Sequence, residues 1–354
     1  MKKAFKMATG CLLASNLLLA ETIENHLFFE GVEGGAGAGK HIVLVSGDEE
    51  YRSEESMPML AQILASQGFD STVLFSFDED GTVNPTKVAS LGYAEAFDTA
   101  DAIVMCVRFR AYSDEDMAHF VNAFEKGTPI ISLRTTTHGF KFSDQSKYAH
   151  YNFNSKEKGW KGGFGRQVLG ETWAGHHGAH KTQATRTHIE EANASHAILN
   201  GVDQIFAESD VYGAKPLEPV TILLRGEVTE NFDPTSSGVA SKNEPMIPVA
   251  WVREFKHENG NVSPIFTTTM GAASDLDDEN LRRLVINGIY WATGLEVPEK
   301  ADVDYKSIYK PSFYGFDLWQ KGKKPSDFVN VETDHDPMNH YRERVPKKKK
   351  AKKQ

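Results

Sequence analysis

Two rhythms of apolar residues alternate along this chain. His41-Ile42-Val43-Leu44-Val45-Ser46-Gly47, Thr72–Phe75, Ala102–Val107 and Pro129–Leu133 are short, nearly continuous apolar runs, the pattern of strands buried on both faces of a parallel sheet. Between them the spacing turns helical. Leu60, Ile63 and Leu64 share a face of a helix predicted over about 57–67, with Pro58 in its first turn and Gly68 at its end. Ser113 is placed to cap a second helix carrying Met117, Phe120, Val121 and Phe124, closed by Gly127. Strands and helices in this alternation predict an α/β fold: a flavodoxin-like three-layer sandwich with a mostly parallel sheet.

The same reading divides the chain. Residues 21–39 end in Gly-Ala repeats and read as a linker, and 40–297 form the folded domain. Near its end, Val249–Phe255 and Pro264–Thr269 flank Asn259-Gly260, a hairpin signal. Asp277 or Asp278 caps a last helix with Leu281, Leu284, Val285 and Ile289 facing inward, interrupted by Gly288 and ended by Gly294. Residues 298–354 read as an aperiodic extension, partly packed and ending in a lysine-rich tail. Open parallel sheets bind ligands beyond the carboxyl ends of their strands, which directs attention to Gly47–Arg52, Arg108–Arg110 and Arg134–His138. The irregular stretch 139–188 is then expected to lie over that edge.

Charge narrows the partners. The net charge is −10, and because nine lysines sit at 2–6 and 347–353, the body between them is more acidic still. Such a body repels nucleic acid. Lys2, Lys3 and Lys6 precede an apolar stretch over 7–20 that is too short and interrupted to span a membrane, so 1–20 reads as a signal peptide cut after Ala20. The expected location is periplasmic or secreted, without stable membrane insertion once the signal is gone. Cys106 is then the remaining cysteine, and no disulfide within the chain is expected.

The densest chemistry lies in Trp160–Ile189, where glycines are interleaved with Arg166, Glu171, Trp173, His176, His177, His180, Arg186 and His188. Nucleophilic catalysis finds little support. Cys106 falls mid-strand, and Thr135 has no adjacent base. Gly162-Gly163-Phe164-Gly165 follows no strand and opens no helix, so it is no dinucleotide fingerprint. Acid–base and polyol chemistry fits better, with His138, His177 and Glu171 as catalytic candidates. Glu50, Tyr51, Arg52, Arg108, Arg110, Arg134, Trp173, Asp210 and Tyr212 are the candidates for gripping a small-molecule carbohydrate. A divalent metal such as zinc on His176, His177 and His180 is a second reading, opposed by glycines 175 and 178, which disfavour a regular helix there. The blander readings stay open: Glu49 and Glu50 as helix-dipole partners, the arginines as partners of those acids, the histidines as hydrogen-bonding groups. If one cleft gathers these groups, His138 faces His176, His177 or His180 over a floor of Arg52, Arg108 and Arg134. Arg166 and Arg186 then pair with Glu171 or with Asp48–Glu50, and histidines beside acids titrate above about 6.5.

Several stretches together carry a resemblance. They are Val43–Arg52, Gly127–Arg134, Leu169-Gly170 through Gly175-His176-His177, His196–Val202 before Ser209–Tyr212, Ile265–Gly271, Leu281–Leu284 and Tyr290–Gly294. In that order they resemble the ThuA-like, or trehalose-utilisation, family, over roughly 41–296. The resemblance implies the fold of the class I glutamine amidotransferases and a role in saccharide utilisation, on disaccharides or keto-sugars if the protein is an enzyme, or else as a non-catalytic sugar- or metal-binding module. Two positions depart from the family. Arg134 stands at the elbow where the family often has histidine and true amidotransferases have cysteine, and Gly271-Ala272 stands where Gly-His is common. Both point to a divergent subgroup and away from glutamine amidotransfer.

Overall fold

The computed structural model describes residues 21–23 and 25–333, so the expected signal peptide and the lysine-rich tail lie outside the described residues. In chain order the strands are β1 (Glu21–Ile23), β2 (His26–Phe29), β3 (His41–Gly47), β4 (Asp70–Leu74), β5 (Ala102–Val107), β6 (Ile130–Leu133), β7 (Thr185–Ile189), β8 (Phe206–Ala207), β9 (Thr221–Val228), β10 (Ile247–Lys256), β11 (Val262–Thr268), β12 (Tyr309–Lys310) and β13 (Val331–Glu332). Three α-helices accompany them: α1 (Ser53–Ser66), α2 (Asp114–Glu125) and α3 (Glu279–Ala292).

The first eleven strands form one sheet in the order β1-β2-β4-β3-β5-β6-β11-β10-β9-β7-β8. Its centre, β4-β3-β5-β6-β11, is parallel throughout. Both wings are antiparallel, which makes the whole sheet mixed. The central strands are apolar on both faces because both are covered. Ile42, Leu44, Val104 and Ile131 pack with α1 and α3, while Val43, Val45, Ile103 and Met105 pack with Phe120 and Phe124 of α2. Each such side chain stabilises the fold by about 1.5–3 kcal/mol on burial. Cys106 lies fully buried in the first of these layers, as its mid-strand position predicts.

Local signals explain the helix ends. Ser113 Oγ accepts from the Asp116 N–H at 3.0 Å, and Asp114, Glu115 and Asp116 complement the amino-terminal dipole of α2. Asp278, rather than Asp277, caps α3 through the N–H groups of Asn280 and Leu281. A methyl group on Gly288 would come within 3.0 Å of the Phe266 ring, so the glycine lets α3 lie close on β11. Helix α1 begins at Ser53 instead of about 57, and Pro58 falls inside it. Its first turn, Ser53-Glu54-Glu55-Ser56, is polar yet buried, so no apolar period marks it.

The linker expected over 21–39 instead contains β1 and β2, and β2 pairs with β4 while burying Leu27 and Phe29. The segment after 298 packs against the domain at several points. Phe328 stacks on Phe75 at 6.2 Å, the Tyr309 hydroxyl donates to the Ala273 carbonyl at 2.7 Å, and Tyr314 stacks on Tyr51 at 4.9 Å. Among the described residues no helix is long and apolar enough to cross a membrane.

Candidate functional site at the carboxyl edge

Strand β3 ends in a turn built on Asp48, whose carboxylate accepts the N–H groups of Glu50 (2.6 Å) and Tyr51 (2.7 Å) and the hydroxyl of Thr135. The turn throws Arg52 into the left-handed region at φ 59° immediately before α1. Beyond β6, Arg134 is likewise left-handed, at φ 41°. Left-handed backbone at bulky residues is costly and persists where the surroundings over-determine it, a pattern that concentrates at functional sites.

Arg134 is fully buried, and both of its terminal nitrogens are engaged. Its guanidinium donates to the carbonyls of Asp210 and Thr269, both at 2.7 Å, to the Tyr51 hydroxyl at 3.0 Å and to Asp210 Oδ1 at 3.1 Å. It lies between two aromatic rings, 4.6 Å from the Tyr51 centroid and 3.7 Å from that of Tyr212. Burial raises the Tyr51 and Tyr212 hydroxyls above their usual range, so both remain neutral donors. Burial alone would raise the Asp210 carboxyl, but Arg134 and the hydrogen bonds from His176 and His180 outweigh it and hold Asp210 well below the usual carboxylate range.

The glycine-rich loop reaches this centre through its backbone. The N–H groups of His177 and Gly178 both donate to the Val211 carbonyl at 2.9 Å, and the Gly213 N–H donates to Gly175. A side chain on Gly178 would collide with Asp210 Cβ at 2.9 Å, so glycine permits the close approach. His176 Nδ1 pairs with Asp210 Oδ2 at 2.7 Å. His180 bridges two acids, with Nδ1 on Asp210 Oδ1 at 3.0 Å and Nε2 on Glu50 Oε1 at 2.9 Å. The two imidazole centroids are 4.5 Å apart. Desolvation lowers the His180 pKa, but the two carboxylates win and the net shift is upward. For Glu50, burial pushes upward while His180 and Lys181 bring the carboxyl below its ordinary value.

His138 stands against two of the rings that His176 also contacts. Its ring lies 5.4 Å from Trp173 and 6.4 Å from Tyr212, and His176 contacts the same two rings at 5.8 and 5.4 Å. The His138 pKa moves the other way from that of His180. Burial first, then Arg108, Arg134 and His176, hold His138 well below the ordinary histidine value, because no carboxylate reaches it. The indole N–H of Trp173 is buried and has no partner among the described residues.

The other arginines of the floor are structural. Arg108 and Arg110 both clamp Glu49, Arg110 at 3.1 Å, and Arg110 also donates to the carbonyls of Arg108 and Pro85. Burial, and then the neighbouring Asp48, raise the Glu49 carboxyl despite these cations. Arg52 is bound to the Gly315 carbonyl and lies 3.4 Å from Glu54. The blander reading of these arginines as partners of nearby groups therefore describes them best.

Two of the three catalytic candidates are spent elsewhere. Glu171 accepts from Arg166 and from the Thr172 N–H, each at 2.9 Å, and from the Lys215 N–H at 2.6 Å, so it braces two loops. Arg166 thus pairs with Glu171, as one expectation had it, whereas Arg186 pairs with Glu227 at 3.0 Å. His177 Nε2 donates to the Lys242 carbonyl at 2.6 Å, in a loop that Gly175, at φ 118°, takes out of helical geometry. Asp210 takes the third place beside His176 and His180 instead. Missed entirely was the contribution of residues 314–316. Tyr314 lies 5.6 Å from the His180 ring, the Gly315 N–H donates to the Glu50 carbonyl at 2.8 Å, and Phe316 lies 4.9 Å under Arg108. No period marks that segment, and aromatic content was its one visible signal.

The family model for ThuA, described as trehalose utilisation, matches residues 41–292. Among solved structures, the chain is similar to a ThuA-like protein from Parabacteroides merdae at 15% identity and TM-score 0.46, over 73% of this chain and 91% of that one. A ThuA-like protein from Bacteroides uniformis is similar at 13% identity and TM-score 0.44, over 72% of this chain and 90% of that one. No curated protein matches. The family match covers well over half of the sequence and contains β3 through α3 with every residue of the elbow and histidine cluster, and the chain belongs to the trehalose-utilisation (ThuA) family.

Proposed function

We propose that this protein binds a saccharide at the carboxyl edge of its sheet and serves carbohydrate utilisation outside the cytoplasm. The observation that carries this reading is the wall formed by His138, Trp173, His176 and Tyr212. Aromatic faces there stand beside ionised and neutral hydrogen-bonding groups, and Trp173 brings an unclaimed indole donor. Sugars need both: rings to cover C–H patches and fixed polar groups to meet hydroxyls. The family's association with trehalose makes disaccharides and their keto derivatives the first ligands to try. The strand order β4-β3-β5-β6-β11 supports reading the parallel centre as flavodoxin-like, with the site at its carboxyl edge. Export rests on the Lys2–Ala20 pattern, and intact mass of the mature protein tests cleavage after Ala20.

Calorimetric titration with trehalose and with keto-disaccharides tests binding, and turnover assays on the same compounds decide between an enzyme and a binding module. Binding by the native chain that is lost in Trp173→Ala, with folding intact by circular dichroism, is the expected result. If neither sugar class binds, or if Trp173→Ala binds as the native chain does, the saccharide reading at this wall falls.

A further inference from the structure

His176, His180 and Asp210 each bring one ligand atom into a group spanning no more than 4.8 Å. Both imidazoles turn Nδ1 toward the same carboxylate, at 2.7 and 3.0 Å. The outer nitrogen of His180 is already engaged by Glu50 at 2.9 Å. A carboxylate on the far nitrogen of a histidine fixes its tautomer and ring orientation and makes the near nitrogen a better ligand, the arrangement found behind bound metal ions. With its proton held at Nε2 by Glu50, His180 can offer the Nδ1 lone pair beside an Asp210 oxygen, where a metal cation would take the place of the proton that otherwise joins the two.

We propose that His176, His180 and Asp210 bind one divalent first-row metal ion, zinc by preference, with Glu50 and Arg134 as its outer shell. Two nitrogens and one carboxylate oxygen suit zinc and leave further coordination positions open, as in catalytic rather than structural sites. Solvent reaches the cluster, since the His176 side chain is about 31% exposed. Asp210 divides its two oxygens. Arg134 and His180 both reach Oδ1, which anchors the carboxylate in a fully buried position, and Oδ2 points at His176. The guanidinium is a nearby like charge and weakens the site, while Glu50 adds a compensating negative charge behind His180. The loop explains the ligand choice: held to Val211 by its own N–H groups, it delivers 176 and 180 to Asp210 and sends 177 to Lys242. The proposal stands on ligand geometry and holds whether or not a saccharide binds.

The test uses the full, tag-free chain stripped with chelator and titrated with zinc chloride by calorimetry and with cobalt(II) by visible absorption. One equivalent of zinc and cobalt bands of low-coordinate geometry are expected. His176→Ala and His180→Gln should each weaken binding by more than about 100-fold, and Glu50→Gln by about 10-fold, as loss of an outer-shell partner does. His188→Ala, a change outside the cluster, should bind as the native chain does. No uptake by the native chain, or equal uptake by His176→Ala, overturns the proposal. His176 is partly exposed, so its variant should keep the fold, checked by circular dichroism, and the result does not depend on whether His180→Gln folds. Trehalose titration of the stripped protein, run alongside, separates a failed metal site from a failed saccharide reading.

Discussion

Arg52, Arg110 and Arg134 are fully buried at the carboxyl edge and engage groups of the protein itself. His176 and His180 reach the same edge from a loop, pair with carboxylates, and keep part of each ring in solvent. The fold rule that directs attention to strand ends locates both sets but does not distinguish them. What distinguishes them is whether the fixed scaffold already satisfies the group. An arginine whose guanidinium is held by acceptors of its own chain belongs to the locked scaffold, whereas a histidine whose partners are acids that could also hold a cation is available for binding.

The largest test of that contrast is Arg134→Ala. It removes the cation between two tyrosines and leaves Asp210 buried with less compensation, so urea unfolding should show a loss of about 3–5 kcal/mol. A loss under about 1 kcal/mol would mean that Arg134 is dispensable to the wall. Tyr314→Ala should come next, at about 3–4 kcal/mol, the usual cost of deleting a buried aromatic ring. If it unfolds with the stability of the native chain, the terminal segment does not support Tyr51.

Glu54 supplies a pH test of the locked set. Burial pushes its carboxyl up to about 7 even with Arg52 beside it. A carboxyl raised in the folded state binds a proton that the unfolded chain has released, so its contribution is full below about pH 4.5 and is lost as pH rises through about 7. The native chain should therefore lose up to about 3 kcal/mol from this group across that window. Glu54→Gln should flatten the profile, and unfolding curves at pH 5 and pH 8 that shift equally in both proteins would refute the assignment. The smallest effect belongs to the exchangeable set. His176→Ala should lower metal-free stability by about 1 kcal/mol, the usual worth of one hydrogen bond to a group that keeps its other partners, and a loss as large as that of Arg134→Ala would place His176 among the locked groups with the arginines.

The centre of the fold was legible because burial on both faces writes a continuous apolar run. Val43–Val45, Ala102–Val107 and Ile130–Leu133 all became strands, and Ser113 and Asp278 capped the helices they were expected to cap. The edges were not. His26–Phe29 is short and follows residues that read as linker, and Ser53–Ser56 hides a helical turn under polar side chains that burial satisfies. In the site, residue types were visible but partners were not. Asp210 was recognised as polar and useful, yet nothing in the spacing of the histidines says that Asp210, rather than His177, stands beside His176 and His180. That choice is made by backbone hydrogen bonds to Val211, which leave no trace in side-chain pattern.

The clasp between Gly315 and the pair Glu50 and Arg52 sets an order of events during synthesis. The family match ends at residue 292, more than twenty residues before the clasp. A nascent chain that has emerged only that far holds its main sheet, its elbow and the His176–His180 loop, but Tyr51 has no Tyr314 to stack on and the Arg52 guanidinium lacks its Gly315 carbonyl. The acid behind His180 is then carried by an unsecured turn. Completion of the centre therefore waits for the last part of translation, and a fragment cut at the family boundary would carry the whole ligand set while presenting it on a loosened frame.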